Sequence, residues 1–558
     1  MPKLTAALKS DLEKILDPSR VRFDRRERKM YSHDVGEMPP LIKPFVGKTM
    51  PDGVVQPANE EELVTLVKWA RAYQVPLVPR GRSTSGYGGV LPVKGGLVID
   101  FFRMDRMLAL DAAAQTVTVE PGMIWKRLDR SLEQEGLTLR LYPSSYPGAT
   151  VGGWLAQGGG GFGSLEYGWF AENVVSARVV QPDGTVKTFS GDELELIADA
   201  EGITGIISQI TLRVRLLEPE RVLAAQFEDA ASLVRAIQRA VQARLPLWSI
   251  SFINPKMAEL KNMVPPKHLH DAPHHEPPKI PEKYIGLFVY PESRTGKIKS
   301  SLQEIVAQAG GQWLDEEIAA HEWEERFDLM KVKRLGPAVI PSEVVVPLDN
   351  LAEALTEIEA QIKQPLVVEG MLVGGEGEAV QTILLGFIPH DERSLGFNLA
   401  YATSLGVIKI AKKHGGRAYT TGLYFAGEAE QVLGKSRLAR LKAYKKRVDP
   451  QDIMNPGKVF VNGVGATQRM RLMMGLAQTF EPLVRPFANL PQVDPGERID
   501  GDEVKGIPAD VAWYARSCSQ CGFCVSDCDQ FYGRGWESQS PRGKFYFLKE
   551  FMAGREEY

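Results

Sequence analysis

Pro79-Arg80-Gly81-Arg82-Ser83-Thr84-Ser85-Gly86 follows directly on Val75-Pro76-Leu77-Val78, an apolar run that reads as a strand. Small residues in succession let several backbone N–H groups point at one anion, so this loop is a candidate nest for a pyrophosphate. A second stretch of the same character runs from Pro143-Ser144-Ser145 through Ala149-Thr150-Val151-Gly152-Gly153 to Gly158-Gly159-Gly160-Gly161. There the backbone has to pass close against something flat or charged, which glycine permits. Either loop alone would fit an ordinary turn. The pair, at this separation, is a much stronger sign of a bound anionic ligand.

Working outward, Val54-Val55-Gln56-Pro57 reads as a strand, and Asn59 caps a helix that runs to Tyr73. Glu60, Glu61 and Glu62 fall in its first turn, where the helix dipole favours them. Further strands are expected at 96–100, 116–119, 174–181 and 206–214, with Pro182-Asp183-Gly184 joining two of them as a hairpin. The fold class is α+β. A lead-in over 1–50 precedes a ligand-binding domain over 51–217. A second α+β domain follows over 218–462, with a helix at Leu351–Lys363 between strands at Ser342–Pro347 and Gln381–Phe387. Inside it, the Pro/His-rich segment 265–281 is too proline-dense for regular structure. Residues 463–512 read as a linker, with a short basic, Met-rich helix at Met470–Leu476 and a loop-like run from Pro482 to Pro508. The segment 513–558 closes the chain.

A chain of 558 residues exceeds one hydrophobic core. Its formal charge, 67 − 70 = −3, gives no general attraction to nucleic acid or anionic membrane. No basic patch or helix-turn-helix pattern supports a DNA-binding regulator. The N-terminus lacks an apolar signal region, and no run is long enough to span a bilayer. The expectation is a cytoplasmic protein, on a membrane only through a partner. Cys518, Cys521, Cys524 and Cys528 fall within eleven residues, and the preceding 517 residues contain no cysteine. This C-x-x-C-x-x-C-x-x-x-C spacing is that of bacterial ferredoxins and points to a 4Fe-4S cluster, although Asp529 replaces the usual proline. Zinc is the alternative, but its motifs favour two separated knuckles. His268, His270, His274 and His275 match no closed zinc site and fit an exposed loop.

At these glycine loops the chain resembles the vanillyl-alcohol oxidase/p-cresol methylhydroxylase flavoproteins, nearest to the glycolate oxidase and D-lactate dehydrogenase branch. The resemblance also rests on Tyr31–Asp34, on Glu201-Gly202-Ile203-Thr204-Gly205 and on Asp449–Lys458 with its Asn455-Pro456-Gly457 ending. It implies a two-subdomain FAD-binding domain of the p-cresol methylhydroxylase type, followed by an α+β substrate domain. It also implies FAD held by Arg80, Gly81, Arg82, Ser83, Thr84, Ser85, Pro143, Ser144, Thr150, Gly152, Gly153, Gly160, Tyr167, Gly168, Ile206, Ile207 and Asn455. Ser83 stands where relatives commonly have a second glycine. With no loop histidine and no body cysteine, the flavin is expected to be non-covalent.

The family's metal motif is missing. Glu369–Gly377 lacks both histidines of the metal motif that relatives acting on 2-hydroxy acids carry, and His414–Gly422 lacks their later Glu-His pair. Candidate bases or donors are His414, Tyr419 and Tyr424; candidate anion anchors are Arg326, Lys331 and Arg334. His414, before Gly415-Gly416, equally fits a helix C-cap, and the cations fit a solvated helix face. Gly535–Lys544 resembles the iron–sulfur domain of heterodisulfide reductase-like electron-transfer subunits, in which the fourth cysteine serves a second cluster. The expected function is oxidation of a small organic acid or alcohol, with electrons passed to iron–sulfur centres and on to an electron-transfer partner subunit. The alternative is a relay subunit without its own organic substrate.

Overall fold

The structure, a computed structural model, describes residues 4–264, 277–336, 338–375, 379–461, 465–488 and 504–557. The first glycine loop leaves the strand Leu77–Arg80, which pairs in parallel with Leu97–Asp100 in a four-stranded sheet. The helix Glu60–Tyr73 covers that sheet. Asn59 accepts from the Glu62 N–H at 2.9 Å, and Leu63, Leu66, Val67 and Ala70, spaced for one helical face, are fully buried. A second sheet of six strands is built around the long strand Ile206–Leu216. The strands Val174–Val180 and Val186–Ser190 pair as the expected hairpin, with Gly184 at φ 81° in its turn.

The second domain is an eight-stranded antiparallel sheet whose two faces have separate tasks. Along the strand Gln381–His390, Leu384 and Ile388 pack with the helices Ala230–Gln242, Leu351–Gln361 and Leu395–Lys413. The alternate residues Ile383, Leu385 and Phe387 join an apolar cluster shared with the six-stranded sheet. One period-two strand therefore holds its own domain together and also seals it against the first.

Two segments differ from their sequence reading. Residues 466–488 form one helix of 23 residues, Ala466–Ala488, packed on Leu395–Lys413, where a short helix and a loop were expected. Pro482 and Pro486 lie inside it. Its buried side carries Met470 and Glu481, Arg485 donates to Gln361, and the Ala488 carbonyl accepts from Gln364, so tertiary contacts hold the last turns despite two missing N–H donors. The histidines of segment 265–276 lie outside the described residues. No helix among the described residues is long and apolar enough to cross a membrane.

The cysteine-bearing segment is helical and folds back onto the four-stranded sheet. Trp536 inserts among Met30, Tyr31, Val54, Val78 and Val98, and the Arg22 guanidinium lies 4.7 Å from its ring. Gln56 donates to the Gly535 carbonyl at 2.6 Å. Lys29 pairs with Glu550 at 2.8 Å and with Glu556 at 2.5 Å, fixing the final helix. Trp536→Ala should lower the stability of this docking by about 3–5 kcal/mol. The measurement is the first unfolding transition in urea, which should move to lower denaturant while the body unfolds as before.

Candidate active site

The two glycine loops face one another across a narrow cleft of about 60 Å³, lined by Gly81, Ser83, Thr150, Gly153, Gln157 and Glu201 among others. Their approach is close: a Cβ on Gly81 would lie 2.3 Å from the Thr150 hydroxyl oxygen, and one on Gly89 would lie 2.2 Å from Glu201. Ser83 adopts φ 52°, a conformation glycine takes more readily, so the loop keeps its shape at some backbone cost. Asp34 anchors the loop's far end by accepting from the Gly88 N–H at 2.7 Å and the Gly36 N–H at 3.0 Å; burial lifts its carboxyl to about 6. Asn455 ties the far end of the second domain back to the cleft, donating to the carbonyls of Gly89 at 2.9 Å and Glu201 at 2.6 Å.

Several polar atoms here are buried without a partner. The Gln157 amide nitrogen and one Glu201 carboxylate oxygen face the cleft in that condition. Leaving such groups unmade is costly, and a ligand with polar edges relieves it. Burial raises the Glu201 carboxyl to about 8 and lowers the neighbouring Lys458 ammonium to about 7; Lys458 donates to the Leu91 carbonyl at 2.7 Å. The small-residue cradle and these unpartnered polar atoms fit a dinucleotide.

Past Thr84, Ser85, Ser145, Trp154 and Gln157 the cleft continues into a cavity of about 170 Å³ between the two domains. Val339, Leu385 and Phe387 of the eight-stranded sheet wall it, with Met470, Met473 and Met474 of the helix Ala466–Ala488. Hydroxyl and amide groups, among them Ser144, Ser145 and Gln157, line the side nearer the cleft. Tyr419 donates to the Gly160 carbonyl at 3.4 Å, and Tyr424 reaches the same space; burial pushes both phenols upward. Glu343, on the strand Ala338–Pro347, faces the cavity with its carboxyl raised to about 8 by burial. The tail completes the wall with Ser519, Cys521 and Phe523.

The structure thus gathers Gly81, Arg82, Ser83, Thr84, Ser85, Pro143, Ser144, Thr150, Gly153, Gly160, Tyr419 and Tyr424 around one continuous space. Other candidates lie elsewhere. Arg80 is turned away, donating to the His33 carbonyl at 2.7 Å and pairing with Glu537 at 3.3 Å. Gly152 packs on Pro121; Tyr167 and Gly168 sit behind the cleft beside Arg140 and Glu172; Ile206 is in the core, with Ile207 buried beside it. His414 ends the helix Leu395–Lys413 and pairs with Glu357 at 2.7 Å, away from the cavity. Arg326 is buried against the rings of Trp323 and Phe327, 4.0 and 4.3 Å away. Lys331 and Arg334 line a separate hollow beside Lys261. Glu343 and Gln157 were missed. A lone carboxylate followed by Val344-Val345-Val346 was the one available sign of the first; nothing local marked the second.

Among the described residues, His321, Glu322 and Glu325 offer ligand atoms within 4.8 Å of one another. Lys261 pairs with Glu322 at 2.5 Å and Lys331 pairs with Glu325, so that cluster already has its cations. The cysteines differ. All four thiols are free; burial raises Cys518, and burial with Cys518 and Cys521 nearby lifts Cys524 to about 11. Cys528 begins the next helix, Asp529–Arg534. Cations surround the loop: Lys333 donates to the Cys518 carbonyl at 3.0 Å, and Arg542 to the carbonyls of Arg82 at 2.8 Å and Gln520 at 3.2 Å.

Two family profiles match in tandem, "FAD binding domain" over residues 51–190 and "FAD linked oxidases, C-terminal domain" over 216–459. Together they span most of the chain, which is an FAD-linked oxidoreductase. Among curated relatives it is similar to the mitochondrial D-lactate dehydrogenase [cytochrome] of Arabidopsis thaliana, 29% identical over 74% of this chain and 73% of the relative. It is also similar to glycolate oxidase subunit GlcD of Bacillus subtilis, 26% identical over 82% of this chain and 97% of the relative. The fold matches alkyldihydroxyacetonephosphate synthase with a TM-score of 0.67 at 20% identity, covering 82% of this chain and 85% of that one. p-Cresol methylhydroxylase matches with a TM-score of 0.66 at 16% identity, over 81% of this chain and 96% of that one.

A Cβ on Gly153 would already stand 2.8 Å from the Thr150 hydroxyl, so Gly153→Leu fills the cleft. It should yield folded apoprotein, with flavin absorbance lost and far-UV circular dichroism kept. In the wild type, acid precipitation should release all flavin into the supernatant.

Proposed function

We propose that the chain is an FAD-dependent dehydrogenase that oxidises a CH–OH carbon and passes the electrons to a 4Fe-4S cluster held by Cys518, Cys521 and Cys524. The observation that carries this reading is the shared cavity: Cys521 lines the same space as Thr84, Gly160, Glu343 and Tyr419. The names of the relatives, D-lactate dehydrogenase and glycolate oxidase, support CH–OH chemistry, and the word subunit in the second supports an electron-transfer partner. Cys528, or a ligand from that partner, completes the cluster.

Bound FAD would supply the acceptor for the hydride released from carbon, and the cluster would take up the two electrons one at a time. The chain's own part is to hold the alcohol and remove its proton. Glu343 accepts the hydroxyl proton as the hydride leaves, so the product is a carbonyl. Tyr419, whose single hydroxyl hydrogen rests on the Gly160 carbonyl, would swing that hydrogen to the substrate oxygen. Apolar walls and the tail keep water out.

Glu343 accepts a proton only when ionised, and burial puts its carboxyl at about 8. Turnover should therefore rise with pH through 8, the carboxylate form being the active one. Glu343→Gln should lower kcat by about 10²–10⁴ and flatten that rise. Anaerobic purification should give iron and a paramagnetic signal on reduction, and Cys521→Ser should lose both; zinc in place of iron would sink the electron-exit reading. Mild chelation of divalent metals should leave turnover unchanged, because the histidine ligands of related enzymes are absent here.

A further inference from the structure

The cavity's charge inventory separates two kinds of alcohol. Its described lining contains no arginine, lysine or histidine. Its acids are Glu37, Asp328 and Glu343. Glu37 is matched by Lys333 and Lys549, each at 2.8 Å, and those two ammonium groups are turned toward it. The cations first considered as carboxylate anchors are committed elsewhere: Arg326 to its aromatic cage, Lys331 to Glu325 and Arg334 to a separate hollow. The rest of the wall is uncharged: hydroxyl and amide groups such as Ser144, Ser145, Gln157 and Ser404 on one part, and methionine, leucine, valine and aromatic carbon on the other, where the three methionines of the helix Ala466–Ala488 supply a surface that adapts to a flexible chain.

A carboxylate entering this space would lose its hydration and meet no counter-charge, a cost far above what apolar contact returns. Beside Glu343 it would also hold that carboxyl in its protonated form by like-charge repulsion, removing the base. An uncharged hydroxyl compound meets neither obstacle. Its apolar body gains contact with the walls, and its single hydroxyl finds Glu343 and Tyr419.

We infer that the substrate is an uncharged alcohol carrying an apolar alkyl chain, and not a 2-hydroxy acid. This rests on the reading that the cavity beside the flavin cleft is the substrate site. Each turnover would convert R–CH(OH)–R′ to R–CO–R′, bound FAD supplying the hydride acceptor and Glu343 taking the hydroxyl proton.

The test is anaerobic titration of the flavin-loaded protein with a matched set, 1-octanol, 2-hydroxyoctanoate and D-lactate. Perturbation of the flavin absorption reads binding; its bleaching reads chemistry. 1-Octanol should bind at least tenfold more tightly than 2-hydroxyoctanoate, with D-lactate weaker still. Met473→Lys, which adds a cation to the wall, should reverse the order of the first two with flavin content unchanged. If D-lactate or 2-hydroxyoctanoate binds the wild type as tightly as 1-octanol, the inference is overturned, whether or not the variant folds. If 1-octanol binds as expected but neither it nor its secondary isomer 2-octanol bleaches the flavin, the dehydrogenase reading fails and the assignment of the site's ligand class stands.

Discussion

Glu537 lies between two arginines, Arg80 at 3.3 Å and Arg542, and all three side chains are almost fully shielded from water. Arg80 opens the first glycine loop; Glu537 and Arg542 belong to the cysteine-bearing tail. A buried pair of charges contributes little net stability over an apolar substitute, yet removing one member leaves an uncompensated ion, which costs about 3–5 kcal/mol. The loop that receives a dinucleotide and the loop that presents thiols are therefore tied to one another through a contact neither can give up. Arg542 strengthens the tie by donating to the Arg82 carbonyl, inside the glycine loop itself. The rest of the site is arranged around that joint: cleft on one side, thiols on the other, cavity reaching both.

The second constraint is geometric. The eight-stranded sheet has to satisfy helices on one face and the neighbouring domain on the other, and strict alternation along Gln381–His390 does both. Where the seal between domains opens, the residues that would have closed it become the walls of the cavity. Leu385 and Phe387 belong to the interdomain cluster and also line that space. The apolar wall of the chamber on the second domain's side thus follows from how the domains are held together.

Much of this was legible in the sequence because it depends on local chemistry. Asn59 with three glutamates after it marked a helix start; Pro182-Asp183-Gly184 marked a hairpin; the paired glycine stretches marked the cleft. The misreadings share a cause. Met470–Leu476 looked like a short helix because Pro482 and Pro486 are strong local breakers, and packing against Leu395–Lys413 is invisible until the chain is folded. Arg80 was grouped with the loop it adjoins, although its partner, Glu537, is more than four hundred residues away. His414 has the residue type expected of a base and the position of a cap. Glu343 has the reverse history: an acid in a valine-rich strand gives no sign of its role until two domains enclose it.

The covered cleft also has a history in time. Everything that shapes it, from Asp34 to Lys458, precedes the cysteine loop in the chain, and a Cβ on Gly148 would lie 3.2 Å from the Cys521 carbonyl, so the tail sits tight against the second glycine stretch once in place. A ribosome moving at about 5–20 residues per second delivers the body several seconds before the residues that close over it. During that interval the nascent protein has an open berth for a cofactor and no cover. Biogenesis thus has a built-in sequence, flavin berth first and its cover second, and a chain that reached its last helix empty would have to undock Trp536 and separate three buried charges before it could be loaded.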